Sequence, residues 1–204
     1  MRIAIVAVLA LATAPLLAQT TPAGPPGTPD ATKVVSGTYQ VEPRHSQVLF
    51  TVNHLGFTEY TGQFTVPTGT LVVDTANPGN SKVDVTIPID KVLTTVPQLD
   101  AHLKTPDFFD AAKFPTAKFV STKVTVNGTT ATIAGDLTLK DVTKPVVLQA
   151  RFIGAGNATM GAKKLNFGFA ATTSIKRSDF GMNYGIPGVS DQVDLTINAG
   201  FAAQ

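Results

Sequence analysis

The stretch His45–Phe64, HSQVLFTVNHLGFTEYTGQF, alternates apolar with polar side chains and holds two of the chain's three histidines. Side chains two apart on a strand point the same way. Val48, Phe50 and Val52 therefore share one face, and His54 ends it. A wall that is greasy along its length and polar at its tip suits a container for an amphiphile with a long tail, since each buried methylene contributes roughly 0.8 kcal/mol.

The same period of two extends outward in both directions. Val83, Val85, Ile87 and Ile89 oppose Asp84, Thr86 and Asp90, and Ile133, Leu137 and Leu139 oppose Thr132, Asp136 and Thr138. Val193, Leu195, Ile197 and Phe201 oppose Asp194, Thr196 and Asn198, and Leu165, Phe167, Phe169 and Ile175 make a further apolar face. Val146 to Ile153 is apolar enough to lie against protein on both sides. Turn signals punctuate the runs at Asn77, Asn127, Thr143, Gly154 and Tyr184. Many strands with little helix between them mean antiparallel hairpins. The expectation is an all-β fold, a closed antiparallel barrel of about eight strands, whose interior is either filled or left open for one small ligand. Twelve Phe against three Tyr and no Trp supply that interior.

One helix is expected, in TVPQLDAHLKTP: Thr95 at the cap, Pro97 in the first turn, Leu99, His102 and Leu103 on one face, and Pro106 as the stop. It is an insertion between strands, placed to act as a lid or plug. Just after it, Phe108 and Phe109 are expected to plug a barrel end, with Asp107 and Asp110 facing solvent.

The 204 residues suit one domain. A net charge of +2 gives no basic field for nucleic acid. The absence of cysteine removes disulfides, thiolate metal sites and thiol nucleophiles. Arg2, the apolar run from Ile3 to about Ala14 and the small residue Ala18 read as a secretory signal peptide over residues 1–18, too short and too interrupted by Pro15 to span a bilayer. The mature chain is then expected in a periplasm, without a transmembrane segment. Residues 19–33, rich in Pro, Thr and Gly, read as a flexible leader, and the barrel as residues 34–204.

Catalytic signatures are sparse. GVSD at Gly188 has aspartate where a nucleophile elbow needs glycine, and GNATMGAKK at Gly156 has Ala162 where a phosphate loop needs lysine. His45 and His54, nine apart, would face opposite ways in an unbroken strand and could not share a metal unless a bulge near Asn53 re-aimed one. Arg177 and Asp179, at a strand end, read either as a rim salt bridge or as a polar clamp for a ligand head group.

Four segments, beginning at Arg44, Leu99, Gly135 and Ser174, make the chain similar to the YceI-like family, the lipocalin-like periplasmic proteins that bind polyisoprenoids and other long-chain amphiphiles. The family's His-Ser pair falls on His45 and Ser46, its His-Leu-Gly on His54, Leu55 and Gly56, and its helix motif on Asp100, His102 and Leu103. Its Arg-x-Asp-Phe-Gly element falls on Arg177, Asp179, Phe180 and Gly181. The chain departs from the family at Asp141, where glycine is common, and at Leu99, where arginine is.

The resemblance implies a hydrophobic tunnel, a helical insertion near one end and no established catalytic chemistry; beside it, no catalytic residue, metal or cofactor is expected. The partner it implies is an isoprenoid or fatty amphiphile, with homodimerisation left open. The ligand-binding residues expected are His45, Ser46, His54, His102, Arg177, Asp179 and Phe180 from the family motifs, together with Phe50, Phe108, Phe167 and Phe169 from the apolar faces and the aromatic plug. Two rivals stand beside this reading: an enzyme acting on a lipid head group through a histidine, and a filled barrel that serves as a stress-related interaction protein.

Overall fold

The structure, a computed structural model, describes residues 24–161 and 163–204. The signal peptide read over residues 1–18, the first part of the leader and Ala162 lie outside the described residues.

Three prolines set the outline of the barrel. The chain begins with three strand pairs, each an extended run broken near its middle: β1 (Gly37–Val41) with β2 (Gln47–His54), β3 (Thr58–Thr65) with β4 (Thr68–Val73), and β5 (Lys82–Pro88) with β6 (Val92–Leu93). Pro43, Pro67 and Pro88 fall at the three breaks. Proline cannot donate to a ladder, so a strand is interrupted or bent where it falls. Both halves of each run stay in the same sheet position. β1 and β2 both pair with β11 (Gln192–Ala203), β4 pairs with β1, β3 pairs with β2, and β6 and β5 line up along β3 and β4. At the first break the Ser46 hydroxyl stands in for the missing main-chain partner, accepting from the Gly200 N–H at 2.9 Å and donating to the Gly200 carbonyl.

The remaining strands are uninterrupted: β7 (Thr116–Asn127), β8 (Thr130–Leu139), β9 (Val142–Asn157) and β10 (Leu165–Lys176). Every neighbour is antiparallel, and the β1–β11 pairing closes the ring. The result is a closed barrel of eight positions with one helix. The β8–β9 turn has both Lys140 and Asp141 at positive φ (52° and 58°), the mirror-image hairpin geometry, so the aspartate at 141 takes up the conformation that glycine would supply.

The alternating faces expected for β5, β8 and β11 point into the lumen. The expectation of two covered faces on β9 is corrected: Val146, Ala150 and Phe152 are buried, whereas Val147 and Ile153 on the outer face are each 46% exposed. Two irregularities, between Ser121 and Lys123 and between Gly168 and Phe169, shift the register by one and turn the inward set from Phe119 to Val124 in β7 and from Phe152 to Ala155 in β9.

The helix α1 (Pro97–Leu103) lies between β6 and β7 with Pro97 in its first turn. The cap is not Thr95. Val96 occupies that position without a side-chain bond, and Thr94, held by Asp100 at 2.6 Å, accepts from the Val96 N–H. With the following segment to Pro115, tied down by Lys140 donating to the Phe108 carbonyl at 2.6 Å, α1 covers one end of the barrel. We call it the capped end. It also holds the β2–β3 and β8–β9 turns and the 177–191 connection.

Candidate functional site

The lumen is hollow on both sides of its middle. Two cavities, of about 490 and 390 Å³, share Val48, Ile87, Leu137 and Leu195 in their walls, so they are chambers of one tunnel meeting at an aliphatic waist. The far chamber runs between Val85, Val124, Ile133, Leu148, Phe152 and Phe169; its surface is mostly hydrocarbon, with Gln47, Asp74, Ser81 and Asn198 also in the lining. The chamber at the capped end is also apolar in its walls, with Phe50, Phe64, Phe109, Leu103 and Val193, and His54, Tyr60, His102, Arg177 and Tyr184 complete its lining.

Two glycines keep the tunnel wide. The ring of Phe50 reaches over Gly62 on the neighbouring strand, and the ring of Phe119 reaches over Gly135, each ring occupying the space a Cβ would need. The absent side chains leave room in the wall for the tips of the two rings.

The rim is built by three segments. His54 ends the apolar face of β2 and makes a bridge to Val189 of the 177–191 connection. Tyr60 sits opposite Val52 in the β2–β3 register and meets Thr95 Oγ1 at 3.3 Å. Hydrogen bonds with Thr95 and Thr94 hold its phenol below the ordinary tyrosine value. His102, on α1, reaches Asp107 Oδ2 through Nε2 at 3.2 Å, and its ring meets those of Phe108 and Tyr184 edge-on at 5.0 and 5.2 Å. Asp107 is exposed and Asp110 half-buried, so only the first of the two aspartates stands in solvent as expected.

Arg177 has a different task from the one the sequence suggested. It lies in a 3-10 turn, Arg177–Phe180, and not on a strand face, so Asp179 is turned outward, exposed, and does not pair with it. The guanidinium, only 4% exposed, donates to the carbonyls of Ser190 (2.8 Å), Met182 (3.1 Å), Tyr184 (2.8 Å) and Val189 (2.9 Å). Four of its five N–H groups thus knit one irregular loop together. Burial holds its pKa below the ordinary arginine value, and Asp191 acts against that shift. Asp191 itself accepts from the Ser178 N–H and hydroxyl, both at 2.8 Å, which holds its carboxyl below the usual range.

The other expected site residues divide cleanly. Phe50, His54, His102 and Phe108 line the capped chamber and Phe169 the far one. Phe167 and Phe180 are packed in the wall, Phe167 edge-on to Tyr39 at 4.6 Å. Ser46 is engaged at the strand break. His45, with its side chain 84% exposed, pairs with Glu42 outside the barrel. The three histidines therefore do not converge, and among the described residues no group of three or more His, Asp or Glu is placed to hold a metal. Tyr60 and Tyr184 were missed. Tyr60 was readable as the partner of Val52 across the β2–β3 turn, whereas Tyr184 sits in an irregular loop that carries no periodic signal.

The pattern of the YceI-like domain matches residues 39–201, the whole barrel. The chain belongs to the YceI-like family. Its relatives include the protein YceI of Escherichia coli, 40% identical over 170 residues that cover 82% of this chain and 88% of that one, and a UPF0312 protein of Pseudomonas fluorescens at 40% over 176 residues with the same coverage. Among solved structures, the YceI protein of Campylobacter jejuni is 30% identical, with a TM-score of 0.65 over 74% of this chain and 90% of that one. A polyisoprenoid binding domain from Saccharophagus degradans shares the fold, with a TM-score of 0.60 at 15% identity over 81% of this chain and 98% of that one.

Proposed function

We propose that this YceI-like protein is a secreted, periplasmic carrier or reservoir that holds a polyisoprenoid or a similar long-chain amphiphile in its tunnel. One observation carries the reading: an apolar lumen in two adjoining chambers, the capped one lined by imidazole and phenol groups of His54, Tyr60, His102 and Tyr184. A hydrocarbon tail gains roughly 0.8 kcal/mol per methylene moved from water into such a lumen, less the cost of ordering it. A head group is then held at the capped end, near His54, Tyr60, His102 and Tyr184. The polyisoprenoid-binding description of the Saccharophagus neighbour agrees with this assignment.

Native mass spectrometry of protein purified from its own periplasm, followed by organic extraction, tests the proposal. The expected result is one long-chain lipid per chain. Protein that emerges empty and takes up neither prenols nor quinones would overturn it.

Head-group chemistry is a second reading, favoured by one contact, the His102–Asp107 pair at the chamber rim. Loss of a turnover by orders of magnitude in His102→Ala, with tail affinity kept, would select it.

A further inference from the structure

The leader ahead of the barrel was expected to be flexible, yet its described part is docked. β9 runs on past the end of β8, leaving an unpaired strand edge near Ala155. Thr28 fills it: its N–H donates to the Ala155 carbonyl at 3.0 Å and its carbonyl accepts from the Ala155 N–H at 2.9 Å. Gly154 and Gly156 make the approach possible. A Cβ on Gly154 would come within 2.9 Å of the Thr28 carbonyl oxygen, and one on Gly156 would overlap that of Pro26.

From this anchor the chain turns. Asp30 accepts from the Thr32 N–H at 3.0 Å and caps a 3-10 turn, Ala31–Lys33, while Lys33 Nζ reaches back to Thr28 Oγ1 at 2.7 Å. At its other end Ser36 is bonded to Thr75 of the β4–β5 connection, at 2.9 Å. The path leads from β9 to β1, strands three positions apart around a ring of eight. It therefore runs as a chord across the uncapped mouth, and Ala31, Thr32 and Val34 form part of the wall of the far chamber.

We propose that residues 26–34 are a built part of the binding site, a strap that floors the tunnel and sets the longest tail it accepts. The inference rests on the lipid-binding reading and adds a length limit to it. Entry is assigned to the opposite end, where β9–β10 pairing stops at Thr172↔Gln149 and the 177–180 turn packs against β9 in place of a ladder, a closure by side chains and not by backbone pairing. A tail entering there advances towards the strap and stops against it. The strap also lies ahead of residues 39–201, the part matched by the family pattern.

The test is a chain-length series of linear prenols and n-alkyl alcohols, titrated against the purified protein with and without residues 24–33. In the intact protein, affinity is expected to rise by about fourfold per added methylene and then level off. The strapless protein should continue the rise for longer tails and bind the longest members at least about tenfold more tightly than the intact protein does. Gly156→Leu, which displaces the strap without shortening the chain, should move the break-point in the same direction, with circular dichroism checking that the barrel is retained. Superimposable length profiles for all three proteins would overturn the strap while leaving the carrier reading intact. An intact protein that binds no member of the series would overturn both.

Discussion

The two ends of the tunnel close in different ways. The capped end is closed by side chains: α1, the aromatic cluster of His102, Phe108 and Tyr184, and a loop held from within by one buried guanidinium. The far end is closed by backbone, a leader laid along an unpaired strand edge over two glycines. Side-chain closure presents polar atoms and can be selective for a head group. Backbone closure over glycine presents little chemistry and can discriminate only by space. The difference places aromatic and imidazole groups at the capped end, where the far chamber has Gln47, Asp74, Ser81 and Asn198 among its lining.

The comparison is broken most severely by removing Arg177. Arg177→Met leaves four carbonyls of the 182–190 loop without their donor, and stability measured by urea unfolding should fall by about 3 kcal/mol or more. Arg177→Lys should recover only part of this, since an ammonium cannot reproduce the planar fork. A loss below about 1 kcal/mol would mean that the loop does not depend on it.

The glycines under the rings sharpen the contrast between chambers. Gly135→Val should push Phe119 into the far chamber, and Gly62→Val should push Phe50 into the capped one. Each should cost about 1–3 kcal/mol of stability through overpacking. Gly135→Val should also lower affinity for long tails by roughly tenfold, the equivalent of about two lost methylenes. Short-tailed ligands with the same head group should discriminate between the two variants, losing affinity only in Gly62→Val.

Acid should weaken both ends gradually. Asp191 and Asp194 at the capped end, and Asp30 and Asp74 at the far end, all have pKa values lowered chiefly by hydrogen bonds that their carboxylates accept. A folded-state pKa below the unfolded one stabilises the native protein above the unfolded value, near about 4, and that contribution is lost as the pH falls through the folded value. The urea midpoint should therefore decline below about pH 4, and less steeply in Asp191→Asn. The smallest effect belongs to His45→Ala, which removes an exposed pair with Glu42 and should change stability by less than about 0.5 kcal/mol and binding not at all.

Much of the fold was legible because a half-buried strand writes its period into the sequence. The faces of β2, β5, β8 and β11 followed from counting by twos, and the Pro43, Pro67 and Pro88 breaks interrupt strands without changing their place in the ring. β9 misled because Val147 and Ile153 are apolar and yet face outward, and composition cannot separate an exposed valine from a buried one. The candidate site was less legible. Arg177 and Asp179 share a strand face only if the strand continues, and it ends at Lys176, so a pair at that spacing became a buried anchor and an exposed carboxylate. The docking of Thr28 left no trace in the pattern, because it depends on where β8 starts relative to β9.

The central claim is orientation: head at the capped rim, tail towards the strap. It is tested most directly with a long-chain prenol carrying a photoactivatable diazirine at the tail terminus, cross-linked to the protein and located by peptide mass spectrometry. Attachment to the far chamber, at residues such as Val124, Phe152 or Phe169, is the predicted result. Attachment concentrated around His102 and Tyr184, or on the outer face of the barrel, would contradict it.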